Sequence, residues 1–71
     1  MTWRILPSVM DKLTKREQQV LVLLVAGLTN QQTGEALRIS ARTVEAHRAR
    51  VATKLKARNV AELVRIAIVG E

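Results

Sequence analysis

The amino-acid sequence predicts an all-α domain of four helices. With 71 residues, the chain has room for one domain with a single small core. Its apolar residues are almost all valine, leucine, isoleucine and alanine, with one tryptophan as the only aromatic residue. Small aliphatic side chains of this kind suit packing between helices better than a sheet sandwich. Four capping residues, each ahead of a stretch with helical periodicity, mark where the four helices begin.

The first segment of the chain shows no clear periodicity. We expect residues 1–12 to form a tail or linker remnant, from which Trp3 or Ile5 packs against the first helix. Residues 13–71 are then expected to form the folded domain.

The first helix is predicted from Lys15 to Ala26. Thr14 and Glu17 form a capping-box pattern directly before an apolar stretch, and Gly27 is placed to end the helix. The stretch is apolar almost all round, so we expect this helix to be the central one, with the others packed on it. Val22 does not fit the core face, which leaves two interpretations: an exposed valine or a contact with another molecule.

A short second helix is predicted to run to about Leu37. Thr29 and Gln32 repeat the capping pattern. The helix is weakly encoded, because Thr33 and Gly34 lie where an apolar residue and alanine would be preferred, and glycine costs about 1 kcal/mol relative to alanine in a helix. A glycine at this position would let the next helix approach closely.

The third helix, capped by Ser40, is expected over residues 41–56. Its core stripe is predicted to contain Val44, Val51 and Leu55, with His47 at the edge. A tight turn, Arg38-Ile39-Ser40, joins it to the second helix, which gives a helix-turn-helix pattern at about residues 30–49.

The opposite face of the third helix carries Arg42, Ala46, Ala49 and Thr53, with Arg50 on one edge. Small residues at the centre and long basic residues around them suit a helix that enters the major groove of DNA. The alternative is an ordinary solvent-exposed helix. Charge favours the first interpretation: seven basic residues and one acidic residue lie between Arg38 and Arg58, which accounts for the whole net charge of +6.

The fourth helix is predicted from the cap at Asn59 to about Val69. It carries more apolar surface than one short helix needs for docking. Either the helix is fully packed in the domain, or part of it is a dimer contact.

Several function classes lack their signatures in this sequence. The chain has no cysteine, no paired carboxylates and no nucleophile with a nearby base, so we expect no metal site, no cofactor and no enzymatic activity. His47 is the single histidine, and we expect it to have a structural role. The longest apolar run has nine residues, far below the roughly 20 that span a bilayer, and no signal peptide is visible, so a cytoplasmic location is expected.

A set of short motifs covers the chain from Leu13 to about Ala67. They are Leu13-Thr14-Lys15-Arg16-Glu17, Val20-Leu21, Gly27-Leu28-Thr29-Asn30, Leu37, Ile39-Ser40, Thr43-Val44, His47, Lys54-Leu55 and Ala61-Glu62-Leu63-Val64. Together they resemble the LuxR-type helix-turn-helix domain, also called NarL/FixJ or GerE-type. The stretches Arg42 to Arg50 and Lys56 to Ile68 look closest to the FixJ branch of response regulators.

The resemblance implies a three-helix DNA-binding core without a wing, plus a fourth helix. It implies a transcription regulator that binds double-stranded promoter DNA as a homodimer and contacts RNA polymerase. Carried over by position, the base-reading residues are Arg42, Glu45, Ala46 and Ala49. The phosphate-binding residues are Thr29, Asn30, Thr43, Arg48, Arg50 and Lys54. The dimer-forming fourth helix would use Val60, Leu63, Val64, Ala67 and Ile68.

The chain departs from the family pattern in three ways. Thr33-Gly34 replaces the usual Ile-Ala, Glu45 replaces the lysine of many members, and the usual N-terminal receiver or ligand-binding domain is not present in this sequence. We therefore expect either a stand-alone regulator or the effector half of a longer one. Two other functions stay open: an anti-activator that pairs with a homologous regulator through its last helix, and a basic amphipathic peptide at anionic membranes.

Overall fold

The structure, a computed structural model, describes residues 5–70. Five helices follow one another along this part of the chain: α1 (Pro7–Met10), α2 (Lys15–Val25), α3 (Asn30–Leu37), α4 (Ala41–Leu55) and α5 (Val60–Val69). No strand occurs among these residues. The all-α class is confirmed, and the four predicted helices correspond to α2 to α5 with ends that agree to within about one residue.

Each of the four main helices begins at a side-chain cap. Thr14 and Glu17 form the predicted capping box of α2, and Thr29 and Gln32 form that of α3. In both boxes the cap hydroxyl accepts from a backbone N–H three residues later, while the later side chain accepts from the N–H of the capping residue. Ser40 Oγ caps α4, and a side-chain cap from Asn59 likewise begins α5.

The end of α2 is closed by Gly27, as predicted. Its φ of +97° is a left-handed conformation that glycine adopts without strain. The N–H of Gly27 donates to the carbonyl of Leu24, and the N–H of Leu28 donates to the carbonyl of Leu23. This pair of hydrogen bonds is a Schellman motif, which satisfies the last carbonyls of the helix and turns the chain toward α3.

The main hydrophobic cluster of the core is aliphatic and draws its buried residues from every helix except α3. Its buried residues are Val9, Leu13, Leu21, Val25, Val51, Leu55, Leu63 and Ala67. α4 packs on each of α2, α3 and α5, so α4, and not the predicted α2, is the helix at the centre of the domain. Val22 lies outside the core with 39% of its surface exposed.

The N-terminal segment is more ordered than the predicted tail. Residues 7–10 form α1, Val9 is 4% exposed, and Ile5 and Leu6 pack against the core. The N–H of Leu6 donates to the carbonyl of Ala67 in α5 at 2.9 Å. The tail interpretation therefore fails for residues 5–12, because Pro7 starts a helical turn that buries an apolar side chain. Trp3, the other residue expected to pack, lies outside the described residues.

Close packing between α3 and the start of α4 depends on Gly34. A Cβ atom at Gly34 would lie 2.5 Å from the carbonyl oxygen of Ile39 and 3.3 Å from the amide nitrogen of Ala41. The predicted role of this glycine, close approach of the next helix, is confirmed. Thr33 beside it is 2% exposed, so it takes a core position despite its hydroxyl.

Candidate nucleic-acid interface

Helix α4 presents two distinct faces. The predicted core stripe is confirmed, since Val44, Val51 and Leu55 are all buried. The opposite face is exposed along its whole length and contains Arg42, Glu45, Ala46, Ala49, Arg50 and Thr53. All four predicted base-reading residues therefore lie together on the solvent side of one helix.

The hydroxyl groups of this region are used in helix caps. Ser40 Oγ accepts from the N–H of Thr43 at 3.0 Å and lies 2.9 Å from Thr43 Oγ1. Thr29 Oγ1 accepts from the N–H of Gln32 at 3.1 Å. Thr29 and Thr43 thus lie in the first turns of the two helices of the helix-turn-helix, where backbone N–H groups point outward and favour an anion.

Arg48 and Asn30 connect the two helices of the helix-turn-helix. Arg48 Nη1 donates to Asn30 Oδ1 at 2.8 Å. Arg48 is half-buried. A guanidinium has five N–H donors, so this bond fixes the side chain beside the start of α3 and leaves other donors for a phosphate.

Lys54 has a partner inside the domain that the sequence did not reveal. Its Nζ lies 2.6 Å from Glu17 Oε1, in the one ion pair found within residues 5–70. Glu17 is buried, whereas the Lys54 side chain is 39% exposed. The hydrogen bond from Lys54, followed by that from the N–H of Thr14, holds the pKa of the Glu17 carboxyl below its usual value of 4.5, against the opposing effect of burial.

A groove of about 610 Å³ runs along one side of α4. Its lining consists of Asn30, Glu45, Arg48, Ala49, Ala52, Arg58, Asn59, Val60 and Leu63. Three of these, Ala52, Arg58 and Asn59, are not among the predicted contacts. Arg58 is the last residue of the basic stretch from Arg38 to Arg58 and directly precedes the Asn59 cap. It lines the same groove as Arg48 only because α5 packs beside α4.

The five residues predicted for a dimer contact on α5 are not equivalent. Leu63 and Ala67 are 3% and 0% exposed, so they face the core of their own domain and are unavailable to a second copy. Val60 is exposed, and Val64 and Ile68 are half-buried. The prediction must be corrected for Leu63 and Ala67, because the spacing of three and four residues that suggested a contact is also the spacing of the core face.

His47 lies at the edge of the core and is half-buried. Its Nδ1 atom is buried and has no hydrogen-bond partner within the described residues. Residues 5–70 contain no cluster of three or more His, Cys, Asp or Glu side chains that could hold a metal ion. No helix in this part of the chain has both the length and the hydropathy required to cross a membrane.

Most of the chain matches a known protein family. Residues 11–67 match the family described as "Bacterial regulatory proteins, luxR family". The comparison with solved structures gives no match.

Several curated proteins are similar to the chain. It is 49% identical over 61 residues to the transcriptional regulatory protein FixJ of Rhizobium meliloti. The matched residues are 86% of this chain and 30% of the relative. It is 50% identical over 50 residues to the C4-dicarboxylate transport transcriptional regulatory protein DctR of Rhodobacter capsulatus. The matched residues are 70% of this chain and 25% of that protein.

A third relative is the tetrathionate response regulatory protein TtrR of Salmonella typhimurium, 44% identical over 55 residues, or 78% of this chain and 27% of the relative. The chain therefore spans less than a third of the length of these curated relatives. The predicted likeness to the FixJ branch is confirmed.

Proposed function

The chain belongs to the luxR family of bacterial regulatory proteins, and from this premise we propose that it is a sequence-specific DNA-binding transcription regulator whose helix α4 enters the major groove of promoter DNA. It is either the effector domain of a response-regulator-like protein or a stand-alone regulator. The proposed activity is binding, with no catalytic step, and it takes place in the cytoplasm, where promoter DNA is found.

The observation that carries this proposal is the exposed face of α4. Ala46 and Ala49 lie at its centre, so the helix backbone can approach base edges closely, while Arg42 lies about one turn before them on the same face and Arg50 lies on one edge. A helix whose exposed face only met water would not need small residues at the centre and cations around them. The concentration of the net charge of +6 between Arg38 and Arg58 adds attraction to phosphates.

We assign base reading to Arg42, Glu45, Ala46 and Ala49. A bidentate arginine contact to guanine is the commonest specific contact in the major groove, and Arg42 lies in the first turn of α4, which is the end that usually reads base edges. Glu45 would accept from the amino group of a cytosine, and the alanine methyl groups would contact thymine methyls.

Phosphate contacts are assigned to Thr29, Asn30, Thr43, Arg48, Arg50 and Lys54. Arg48 and Asn30 are held together at the start of α3, which supports a shared phosphate position. Lys54 has N–H donors left beyond its bond to Glu17 and remains partly exposed, so it can bind a phosphate while it stays paired with Glu17. We add Arg58, because it lines the same groove as Arg48.

We propose a homodimer on DNA that uses the outer surface of α5. Val60, Val64 and Ile68 remain available for this contact, and Val69 extends the surface with 64% exposure. RNA polymerase is the further partner that we propose for the regulator.

A second candidate function is a protein-interaction module, such as an anti-activator that pairs with a homologous regulator through α5. The exposed valines Val60 and Val69 favour it, because they give α5 an apolar outer surface. In that case the basic face of α4 is dispensable.

The test is selection of tight binders from a pool of random duplexes, followed by fluorescence-anisotropy titrations of the wild type and two variants. Arg42→Ala is expected to remove about 1–3 kcal/mol of discrimination at one base pair and so to flatten the sequence preference. Arg50→Ala is expected to weaken binding to selected and random duplexes by a similar factor, since a phosphate contact carries no sequence information. An enriched inverted repeat would support the dimer.

Equal loss of affinity for selected and random DNA in both variants would contradict the division between base reading and phosphate contact. Binding without any enriched sequence, together with retained partner pairing by an Arg42→Ala and Arg50→Ala double variant, would favour the anti-activator function.

A further inference from the structure

A second groove lies where α1, the C-terminal end of α4 and α5 meet. It has a volume of about 420 Å³, and we call it the α1–α5 groove. Its lining consists of Ser8, Val9, Lys12, Leu55, Lys56, Arg58, Glu62, Arg65, Ile66 and Gly70. None of the base-reading, phosphate-binding or dimer residues predicted from the sequence is in this set, and Arg58 is the one residue that it shares with the phosphate contacts proposed above.

The rim of the α1–α5 groove is strongly basic. Four cations, Lys12, Lys56, Arg58 and Arg65, surround one carboxylate, that of Glu62, so the groove has a net charge of +3. Glu62 Oε1 already accepts from the backbone N–H of Arg58 at 2.8 Å. The one ion pair within residues 5–70 joins Glu17 and Lys54, so none of these four cations forms an ion pair with a carboxylate of the described chain. Four like charges close together favour an anionic partner.

The floor of the α1–α5 groove is apolar. Val9 and Leu55 are buried and Ile66 is half-buried beneath the charged rim. Its walls are held in place because the N–H of Leu6 donates to the carbonyl of Ala67, and because Leu6 Cδ1 packs so closely on Gly70 that a Cβ there would lie 2.7 Å away. The groove is therefore formed before any partner binds, which lowers the entropy lost on binding.

We propose that the α1–α5 groove binds an acidic amphipathic segment of a partner protein. Its carboxylates pair with Lys12, Lys56 and Arg65, and its apolar side chains contact Ile66, the floor residue that is only half-buried. Charge complementarity selects an acidic partner, and the apolar floor selects a polypeptide over a nucleic acid. A charged phosphate group gains no binding free energy from contact with an apolar floor. The lining also has no aromatic side chain on which a base could stack. This inference shares Arg58 with the proposed phosphate contacts, but the pairing residues Lys12, Lys56 and Arg65 have no assigned role in DNA binding.

The test uses the full chain and a fluorescein-labelled peptide with glutamate on one helical face and leucine at spacings of three and four on the other. Anisotropy titrations compare the wild type with Arg65→Glu and Lys12→Glu, two exposed residues on different parts of the groove. Each of these charge reversals is expected to weaken peptide binding by about tenfold or more. Lys15→Glu makes the same change of charge on α2, outside the groove, and is expected to leave binding within about twofold of the wild type.

Further measurements decide the outcome. A peptide with serine in place of leucine is expected to bind weakly, and amide chemical-shift changes are expected at Lys12, Arg65 and Gly70 rather than at Ala49. Equal weakening by Lys15→Glu would show general charge attraction and overturn the proposal. Arg65→Glu losing affinity for a DNA duplex as strongly as for the peptide would also overturn it, in favour of a phosphate contact. Circular dichroism checks that each variant is folded. If Arg65→Glu is unfolded, the peptide affinity of Lys12→Glu decides the test.

Discussion

Glu17 stabilises the domain in two ways through a single carboxylate oxygen. Oε1 accepts from the N–H of Thr14 at 2.9 Å, which caps α2, and from Nζ of Lys54 at 2.6 Å, which ties α2 to the C-terminal half of α4. Both bonds favour the charged carboxylate, so they lower its pKa despite burial. The residue that begins one helix thus also helps to fix the position of another.

Replacing Glu17 by glutamine is expected to lower the free energy of unfolding at neutral pH by about 1–3 kcal/mol, because a charge-assisted bond is lost at a buried position. Because the pKa of Glu17 is lowered in the folded state, this contribution is present above the ordinary value of 4.5 and is lost as the pH falls below it. Urea denaturation at a series of pH values measures the difference in free energy of unfolding between the wild type and Glu17→Gln. This difference should shrink as the pH falls. Glu35→Gln, at an exposed carboxyl, serves as the control.

Gly34→Ala is expected to destabilise the domain, although alanine has the higher helix propensity. The gain in propensity is about 1 kcal/mol. The added Cβ would lie 2.5 Å from the carbonyl oxygen of Ile39, and backbone atoms must then shift. We expect a net loss of about 1–3 kcal/mol in thermal or urea denaturation. Glu35→Ala, at the exposed neighbouring position, is expected to change little, and a stabilised Gly34→Ala variant would show that α3 and α4 can separate without penalty.

At the scale of the element, α1 differs most from what the local sequence suggests. It has only four residues, too few for any helical periodicity to be visible, and it is stabilised by docking rather than by propensity. The contact of Leu6 with Ala67 and the burial of Val9 join it to α5 and the core. The same element forms one wall of the α1–α5 groove.

Val9→Ala is expected to lower the free energy of unfolding by about 1–3 kcal/mol, because two methyl groups leave a buried position. Chemical denaturation followed by circular dichroism measures the change. Ser8→Ala, at an exposed position of the same helix, is the matched control and should stay within about 0.5 kcal/mol of the wild type. A Val9→Ala variant as stable as the wild type would mean that residues 5–12 behave as the tail that the sequence first indicated.

At the scale of the whole molecule, charge is distributed unevenly. The stretch from Arg38 to Arg58 carries the full net charge of +6, while the remainder of the chain is balanced. The tertiary structure divides this stretch between two surfaces. Arg42 and Arg50 lie on the outward face of α4, whereas Lys56 lines the α1–α5 groove together with Lys12 from outside the stretch.

DNA affinity is expected to fall steeply with salt, because each neutralised phosphate releases condensed counterion. Anisotropy titrations between about 50 and 200 mM salt give the slope of log K against log salt concentration. Arg50→Ala is expected to reduce the size of this slope by about one, while Lys15→Ala, on the exposed start of α2, should leave it unchanged. An unchanged slope for Arg50→Ala would remove Arg50 from the phosphate contacts.

Local sequence signals were enough to predict the four main helices and the family of this chain. Caps at Thr14, Thr29, Ser40 and Asn59 and the glycine at position 27 are local signals, because a cap satisfies backbone groups within three or four residues of itself. The two faces of α4 could be predicted for the same reason, since helical periodicity alone separates Val44 from Ala46.

Tertiary structure alone decided how distant segments meet. The pairing of Glu17 with Lys54 joins residues 37 positions apart, and Arg58 reaches the groove of Arg48 only because α5 packs beside α4. The inward orientation of Leu63 and Ala67, and the docking of α1, likewise depend on what another helix covers. Periodicity shows that a helix has an apolar face, but only the surface packed against that face determines whether it lies in the core or is left for a partner.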